Sequence, residues 1–279
     1  MKTVGVLGLG IIGRVWAGHY ASAGALTGAW NRTPQPDCPK WQGTALAVAR
    51  GADVIQIVVA DPPAVSGILD TILPALDSSK IVVQSSTIDP ESSETFRTLV
   101  TGRGARYLEA PFTGSKPAAE QKQTVFYLGG DSGLIEELEP VLSLISITRF
   151  RIGTNGQAAA LKLAMNLNIA AQMQGLVEAL TIARRAGIGD DVFFSVLAKN
   201  AGYSGVTKLK EPKLRQADFS PQFSVKHLLK DLRLASKMNG CEDFPVLDTL
   251  REQLAAAERE GLANEDFSAI VKLMEADRG

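Results

Sequence analysis

Two stretches of this 279-residue chain carry residue types at spacings that chemistry can use. The first is Gly8-Leu9-Gly10-Ile11-Ile12-Gly13, a G-x-G-x-x-G. It follows the β-rich run Val4-Gly5-Val6-Leu7 and opens a helical pattern from Ile11 to Ala23, the context in which the motif reads as dinucleotide-binding. Gly8 permits a tight turn, Gly10 lets backbone approach a pyrophosphate, and Gly13 lets helix and strand pack closely, with the helix N-terminus toward the anion. At the end of the next β-rich run, Leu26 to Trp30, an acidic residue would hold the ribose hydroxyls of NAD. Asn31-Arg32-Thr33 stands there instead. A guanidinium with hydroxyl and amide donors suits a phosphate dianion, so NADP(H) is the expected cofactor. The plainer alternative for Arg32 is a solvated surface charge.

The second stretch runs from Gly153 to Asn166. Lys162 and Asn166 stand at i and i+4 and share one helical face. Their Ala, Leu and Met flanks suggest partial burial, where both polar groups need partners. Spacing alone favours a snorkelling lysine at a domain seam beside a capping-type Asn over a catalytic pair. Histidine is scarce: His19 and His227 are the only two. A His-rich metal site is nearly excluded, no metal is expected, and the proton-transfer group of an enzyme here is not expected to be histidine. His19 reads as a packing or surface residue, and His227 as one near Lys230 that could line a cleft. Cys38 and Cys241, far apart, read as free thiols in a reducing compartment.

The elements that must position these residues fall into two kinds. Up to about residue 150, short apolar runs alternate with helical ones. Strands are expected at 4–7, 26–30, 53–59, 81–83, 107–109 and 124–128, and helices at 11–23, 44–50, 64–75 and 91–101. Prolines 34, 36 and 39 make the segment after Asn31 an irregular loop. A long helical pattern covers 157–186, followed by others at 190–200, 225–238, 245–260 and 266–277, and no strand is expected after about residue 150. The fold class is therefore α/β: an N-terminal domain with a parallel-rich sheet (1–155), then an all-α domain (156–279) joined by the long helix. Hydrophobic residues at 45%, charged residues at 21% and a net charge of −1 exclude disorder and general nucleic-acid binding. There is no run of about 18 apolar residues to span a membrane. The first residues lack a signal-peptide cleavage site, so a cytoplasmic location is expected.

Five motifs occur in one order: the glycine fingerprint, Ser86-Thr87-x-x-Pro90, Glu109-Ala110-Pro111-Phe112-Thr113-Gly114-Ser115, G-x-x-G-x-A-x-x-x-K-x-x-x-N from Gly153, and Lys230-Asp231-Leu232. Together, over essentially the whole chain, they resemble the β-hydroxyacid dehydrogenase family, which includes 3-hydroxyisobutyrate dehydrogenases and glyoxylate/succinic semialdehyde reductases. The resemblance implies a Rossmann domain, a 6-phosphogluconate dehydrogenase-like helical domain, and a site in the cleft between them. It makes Lys162 the catalytic lysine, donating a proton to the carbonyl oxygen as hydride arrives and stabilising the developing alkoxide. For the reverse reaction that lysine would have to be neutral, its pKa lowered from about 10.4. Asn166 would hold substrate or orient Lys162. Thr113, Gly114 and Ser115 match the loop that grips a substrate carboxylate, with Thr113 and Ser115 departing from its usual Ser-Gly-Gly form. Thr87 would face nicotinamide and substrate. Val59, Ala60 and Ser86 join the cofactor set, and Lys230 would reach the cofactor or close the cleft.

The flavour of the motifs, with Asp218-Phe219-Ser220-Pro221-x-Phe223, is similar to the glyoxylate/succinic semialdehyde reductases. The implied reaction is NADPH-dependent reduction of a small acidic carbonyl compound. The alternatives are a 3-hydroxyisobutyrate or tartronate-semialdehyde type dehydrogenase and, from another class, a non-catalytic NADP-binding module. Eight basic residues against three acids between Lys208 and Lys237 fit an anionic substrate, or form a solvated helical face. Phe219 and Phe223 read as core or pocket wall. The resemblance also implies a homodimer or homotetramer.

Overall fold

The computed structural model describes residues 1–275; positions 276–279, which include the last two of the helix expected over 266–277, lie outside the described residues. Residues Met1–Leu163 form one compact unit and those from Ala164 onward a second.

The first unit is built on an eight-stranded sheet. Its centre is made of β1 (Val4–Leu7), β3 (Val54–Ile57) and β4 (Ile81–Gln84), every residue of which is buried. Strands buried on both faces need helices on both sides, and two apolar clusters supply them. One gathers Val4, Val6, Val54 and Val83 with Trp16 and Tyr20 of α1 (Ile11–Ser22) and Leu138 of α6 (Ser132–Leu142). The other gathers Leu7, Ile55, Ile57 and Val82 with Val48 of α2 (Ala45–Arg50), Leu69 of α3 (Pro62–Ile72) and Phe96 of α4 (Pro90–Thr101). β2 (Leu26–Trp30) pairs with β1, which pairs with β3, and the ladder continues through β4 to β5 (Arg106–Glu109), all parallel. This is the Rossmann-type order expected, with the first strand inside the sheet.

On its far side the parallel-rich sheet becomes mixed. β6 (Phe112–Thr113) and β5 meet β7 (Val125–Gly129) antiparallel, and β8 (Thr148–Gly153) runs parallel to β7. The last strand lies near residue 150 as expected, but β8 itself is not among the strands the sequence announces. β8 is half exposed, with Arg149, Phe150 and Arg151 in succession, so it lacks the apolar run that betrays a buried strand.

Aspartate side-chain caps start three of the helices in this unit. Asp61, Asp89 and Asp131 accept from Ala64, Ser92 and Leu134 amides to start α3, α4 and α6. α1 instead opens at Gly10, which offers no side-chain acceptor. α5 (Lys116–Glu120) follows β6.

α7 (Asn155–Arg185) spans 31 residues, and the division between the units falls inside it, at Leu163/Ala164. The second unit holds α8 (Asp190–Leu197), α9 (Gly205–Gln216), α10 (Val225–Ala235), α11 (Pro245–Ala257) and α12 (Val271–Glu275). α9 has no counterpart in the sequence reading, because two of its buried positions are Lys210 and Lys213, which a hydrophobic pattern counts as polar. The helix expected from Asp266 is split into a 3-10 turn, Phe267–Ile270, and α12. Among the described residues no helix is long and apolar enough to cross a membrane.

Candidate active site

The glycine loop divides its three glycines by what demands them. Gly8 has φ +106°, and a Cβ there would lie 2.1 Å from the Val58 carbonyl oxygen. A Cβ on Gly13 would lie 2.0 Å from the Gly8 carbonyl oxygen. Both are required by the fold. A Cβ on Gly10 would meet nothing within 4 Å. The protein leaves open the space where a pyrophosphate would approach, beside first-turn amides of α1 that no side chain caps. The cradle fits a dinucleotide.

Asn31 at the end of β2 is a brace for this loop. Its Oδ1 accepts from Leu9 N at 3.0 Å and its Nδ2 donates to Thr33 O at 3.0 Å. Gln35 Nε2 donates to Leu9 O at 3.0 Å from the other side. The amide that the sequence reading offered to a phosphate is thus engaged in holding the loop. Arg32 and Thr33 are exposed. Arg14 of α1 pairs with Asp37 nearby, and that hydrogen-bonded guanidinium holds the Asp37 carboxyl below its ordinary range.

The ends of β3 and β4 are joined by Ser86, whose Oγ accepts from Val59 N at 2.8 Å. Thr87 follows, half-buried, and Ala60 is exposed. Beneath them lies a buried polar set of which only Glu109 stands among the sequence motifs. Gln84 Nε2 donates to Glu109 Oε1 at 2.7 Å, and Glu109 Oε2 meets Ser93 Oγ at 2.6 Å and Tyr107 OH at 2.7 Å. Desolvation pushes the Glu109 carboxyl up to about 8 against the pull of these bonds. The signal was an acid inside the apolar run Tyr107-Leu108-Glu109-Ala110.

Thr113 ends β6, opposite Val125. Gly114 has φ +135°, a conformation that favours glycine. Ser115 begins α5 without using its side chain as a cap. His19 explains how α5 is held against α1: its Nε2 lies 3.0 Å from Ala119 O.

The start of α7 is fixed by a reciprocal pair. Gln157 Oε1 accepts from Thr154 N at 2.8 Å, and Thr154 Oγ1 accepts from Gln157 N at 3.3 Å. Asn155 Nδ2 donates to Gly129 O at 2.9 Å, tying the helix to the end of β7. These bonds set the phase of the helix and so the direction of Lys162. Lys162 and Asn166 are buried, while Ala164 and Met165 between them are exposed.

In the second unit Asn166 Nδ2 donates to Asp231 Oδ2 at 2.6 Å, and Lys230 Nζ lies 2.5 Å from Asp231 Oδ1. Asp231 is the residue that the sequence reading left without a role. Its signal was its place on α10, one turn from both Leu228 and Ala235 on the buried face. His227 Nδ1 contacts Ser224 Oγ at 2.9 Å, at the start of that helix. Phe223 packs edge-on against Phe267, and Phe219 lies under Lys272. Cys38 and Cys241 are free thiols.

A dinucleotide cradle on a Rossmann-type sheet, followed by a helical unit, defines a nicotinamide-dependent oxidoreductase. Residues 3–153 match the family profile described as the NAD binding domain of 6-phosphogluconate dehydrogenase. Residues 156–274 match that described as the NAD-binding of NADP-dependent 3-hydroxyisobutyrate dehydrogenase. Glyoxylate/succinic semialdehyde reductase 1 of Arabidopsis thaliana is 30% identical, with 99% of each chain covered. The chloroplastic reductase 2 of the same plant is 29% identical over 98% of this chain and 80% of its own length. A solved 3-hydroxyisobutyrate dehydrogenase from Salmonella typhimurium superposes with a TM-score of 0.88 at 25% identity, covering 98% of this chain and 100% of that one. The chain belongs to the β-hydroxyacid dehydrogenase family and is an NAD(P)-dependent oxidoreductase.

Proposed function

We propose that this protein is an NADPH-dependent reductase of a small carboxylate-bearing aldehyde or keto acid, of the glyoxylate or succinic semialdehyde kind. The observation that carries the reading is a buried lysine, Lys162, on a helix whose start is locked by Thr154, Asn155 and Gln157. The names of the two plant relatives supply the substrate class. The exposed Arg32 at the end of β2 supports the phosphate-bearing cofactor.

When bound, the dinucleotide supplies the hydride. Lys162, as an ammonium, gives its proton to the carbonyl oxygen and offsets the charge growing there. Asn166, one turn on, orients Lys162, and Asp231 fixes the Asn166 amide. The Thr113 hydroxyl and the backbone amides of Gly114 and Ser115 hold the substrate carboxylate. Val59, Ala60, Ser86 and Thr87 bound the nicotinamide end, and Lys230 lends its charge to the cofactor.

The test is a panel of glyoxylate, succinic semialdehyde, methylmalonate semialdehyde and tartronate semialdehyde, each with NADPH and with NADH. NADPH oxidation with the first two is expected, and oxidation with none of the four defeats the reading. A preference for the third or fourth moves the protein to the 3-hydroxyisobutyrate or tartronate-semialdehyde type. Lys162→Ala is expected to lower kcat by about 10²–10⁴-fold with NADPH still bound; retained turnover places the proton donor elsewhere. Arg32→Asp is expected to weaken NADPH more than NADH, and equal losses remove Arg32 from the phosphate site.

A further inference from the structure

The buried polar groups beneath the Ser86–Thr87 turn form two chains of hydrogen bonds that reach the turn from different strands, and the proposed mechanism uses none of them below Ser86. Gln84, the last residue of β4, is fully buried. Its side chain closes on the backbone two residues ahead: Oε1 accepts from Ser86 N at 2.6 Å, and Nε2 donates to Ser86 O at 2.9 Å. The same Nε2 donates to Glu109 Oε1 at 2.7 Å. Beyond the turn, Ser86 Oγ receives the Val59 amide at 2.8 Å. One chain of bonds thus joins the C-terminal ends of β3, β4 and β5. A second reaches the same turn from the other side, where Tyr20 OH donates to Gln56 Oε1 at 3.0 Å and Gln56 Nε2 to Ser85 Oγ at 2.7 Å.

A carboxamide can accept from the N–H and donate to the C=O of one residue while its NH2 group also donates to a second acceptor, here Glu109, all without carrying charge. We propose that Gln84 is a positioning residue for the nicotinamide end of the cofactor, with Glu109 as its anchor. Gln84 grips both backbone poles of Ser86 and, through the Ser86 hydroxyl, the Val59 amide. The inference rests on the assignment of Val59, Ser86 and Thr87 to the cofactor.

Glu109 suits the task because it can stay neutral. The groups that face it are Gln84 from β4, Tyr107 from its own strand, and Ser93 and, at longer range, Asp89 from α4; none of these is a cation. A proton on Oε2 is donated to the Ser93 or Tyr107 hydroxyl, each of which can accept, and Oε1 remains the acceptor for Gln84. Glutamine at 109 reproduces that neutral form, and leucine abolishes it.

The experiment is fluorescence titration of the full chain with NADPH and, separately, with 2′,5′-ADP, which carries only the adenosine half of the cofactor. Gln84→Met is expected to lower NADPH affinity about tenfold or more, the scale of one lost buried hydrogen-bonded contact, with 2′,5′-ADP affinity unchanged. Glu109→Leu is expected to follow Gln84→Met, and Glu109→Gln to keep most of the wild-type affinity. NADPH binding by Gln84→Met at wild-type strength overturns the proposal, as does an equal loss for both probes, which would report general damage. If Gln84→Met does not fold, the Glu109 pair decides: equal behaviour of its leucine and glutamine forms overturns the inference. Wild type that binds NADH in place of NADPH would instead overturn the phosphate preference, and the same comparison is then read with NADH and ADP-ribose.

Discussion

Glu109 in the first unit and Asp266 in the second are both fully buried acids, yet their surroundings drive them to opposite charge states. Glu109 meets only an amide and two hydroxyls. Desolvation therefore wins, and its carboxyl is raised to about 8. Asp266 has Lys210 Nζ at 2.8 and 2.9 Å from its two oxygens. It also accepts from Gln222 N at 3.0 Å and Ser268 Oγ at 2.8 Å. Desolvation pushes Asp266 up as well, but the lysine charge and these bonds together hold it below the usual carboxylate range. Lys210 is further covered by the Phe267 ring, 4.6 Å from its centroid. Burial is the same in both places, and a cation within hydrogen-bond reach decides the proton. In the first unit the set at the strand ends, Gln84, Glu109, Ser93 and Tyr107, holds no cation. The helical unit uses a charged pair to staple the 217–224 loop to Asp266.

The comparison implies opposite pH dependences. Asp266, with a lowered pKa, contributes stability that is present above the unfolded value and lost as pH falls through the folded one. Glu109, with a raised pKa, contributes stability that is full below about 4.3 and lost as pH rises toward 8. The largest expected effect comes from Lys210→Met, which strands the Asp266 charge and should cost about 3–5 kcal/mol at pH 7 in urea unfolding. That cost should shrink in acid as Asp266 protonates, and a loss independent of pH would break the comparison. Next is Glu109→Gln. Relative to wild type it should gain on the order of 2–4 kcal/mol between pH 5 and pH 8.5, because the variant has no proton to lose. Parallel stability curves for the two proteins over that range would mean that Glu109 is ionised in the fold. Smallest is Tyr20→Phe, which removes a neutral bond to Gln56 and should cost about 1–2 kcal/mol at every pH from 5 to 9. A pH-dependent cost there would show that charge reaches the first unit's network after all.

The sheet and its alternation with helices were legible because β1, β3 and β4 are apolar runs between Gly, Pro and Asp signals. β8 was not, since an edge strand with two arginines has no apolar run to read. α9 was hidden by lysines that the fold buries against acid and carbonyl partners. Within the candidate site, Lys162 and the glycine loop announced themselves through spacing and resemblance. Gln84, Glu109 and Asp231 did not, because each meets a partner that lies 25 or 65 residues away.

By itself, the sequence determined local matters: where most of the helices start, which glycine opens the loop, and that a lysine and an asparagine share one face of α7. These depend on neighbours within a few residues, whose spacing the chain dictates. The tertiary structure alone decided that Asn31 braces the loop and which of two buried acids keeps its proton. Those outcomes depend on desolvation and on partners brought together from distant strands, and burial and long-range contact exist only once the chain has folded.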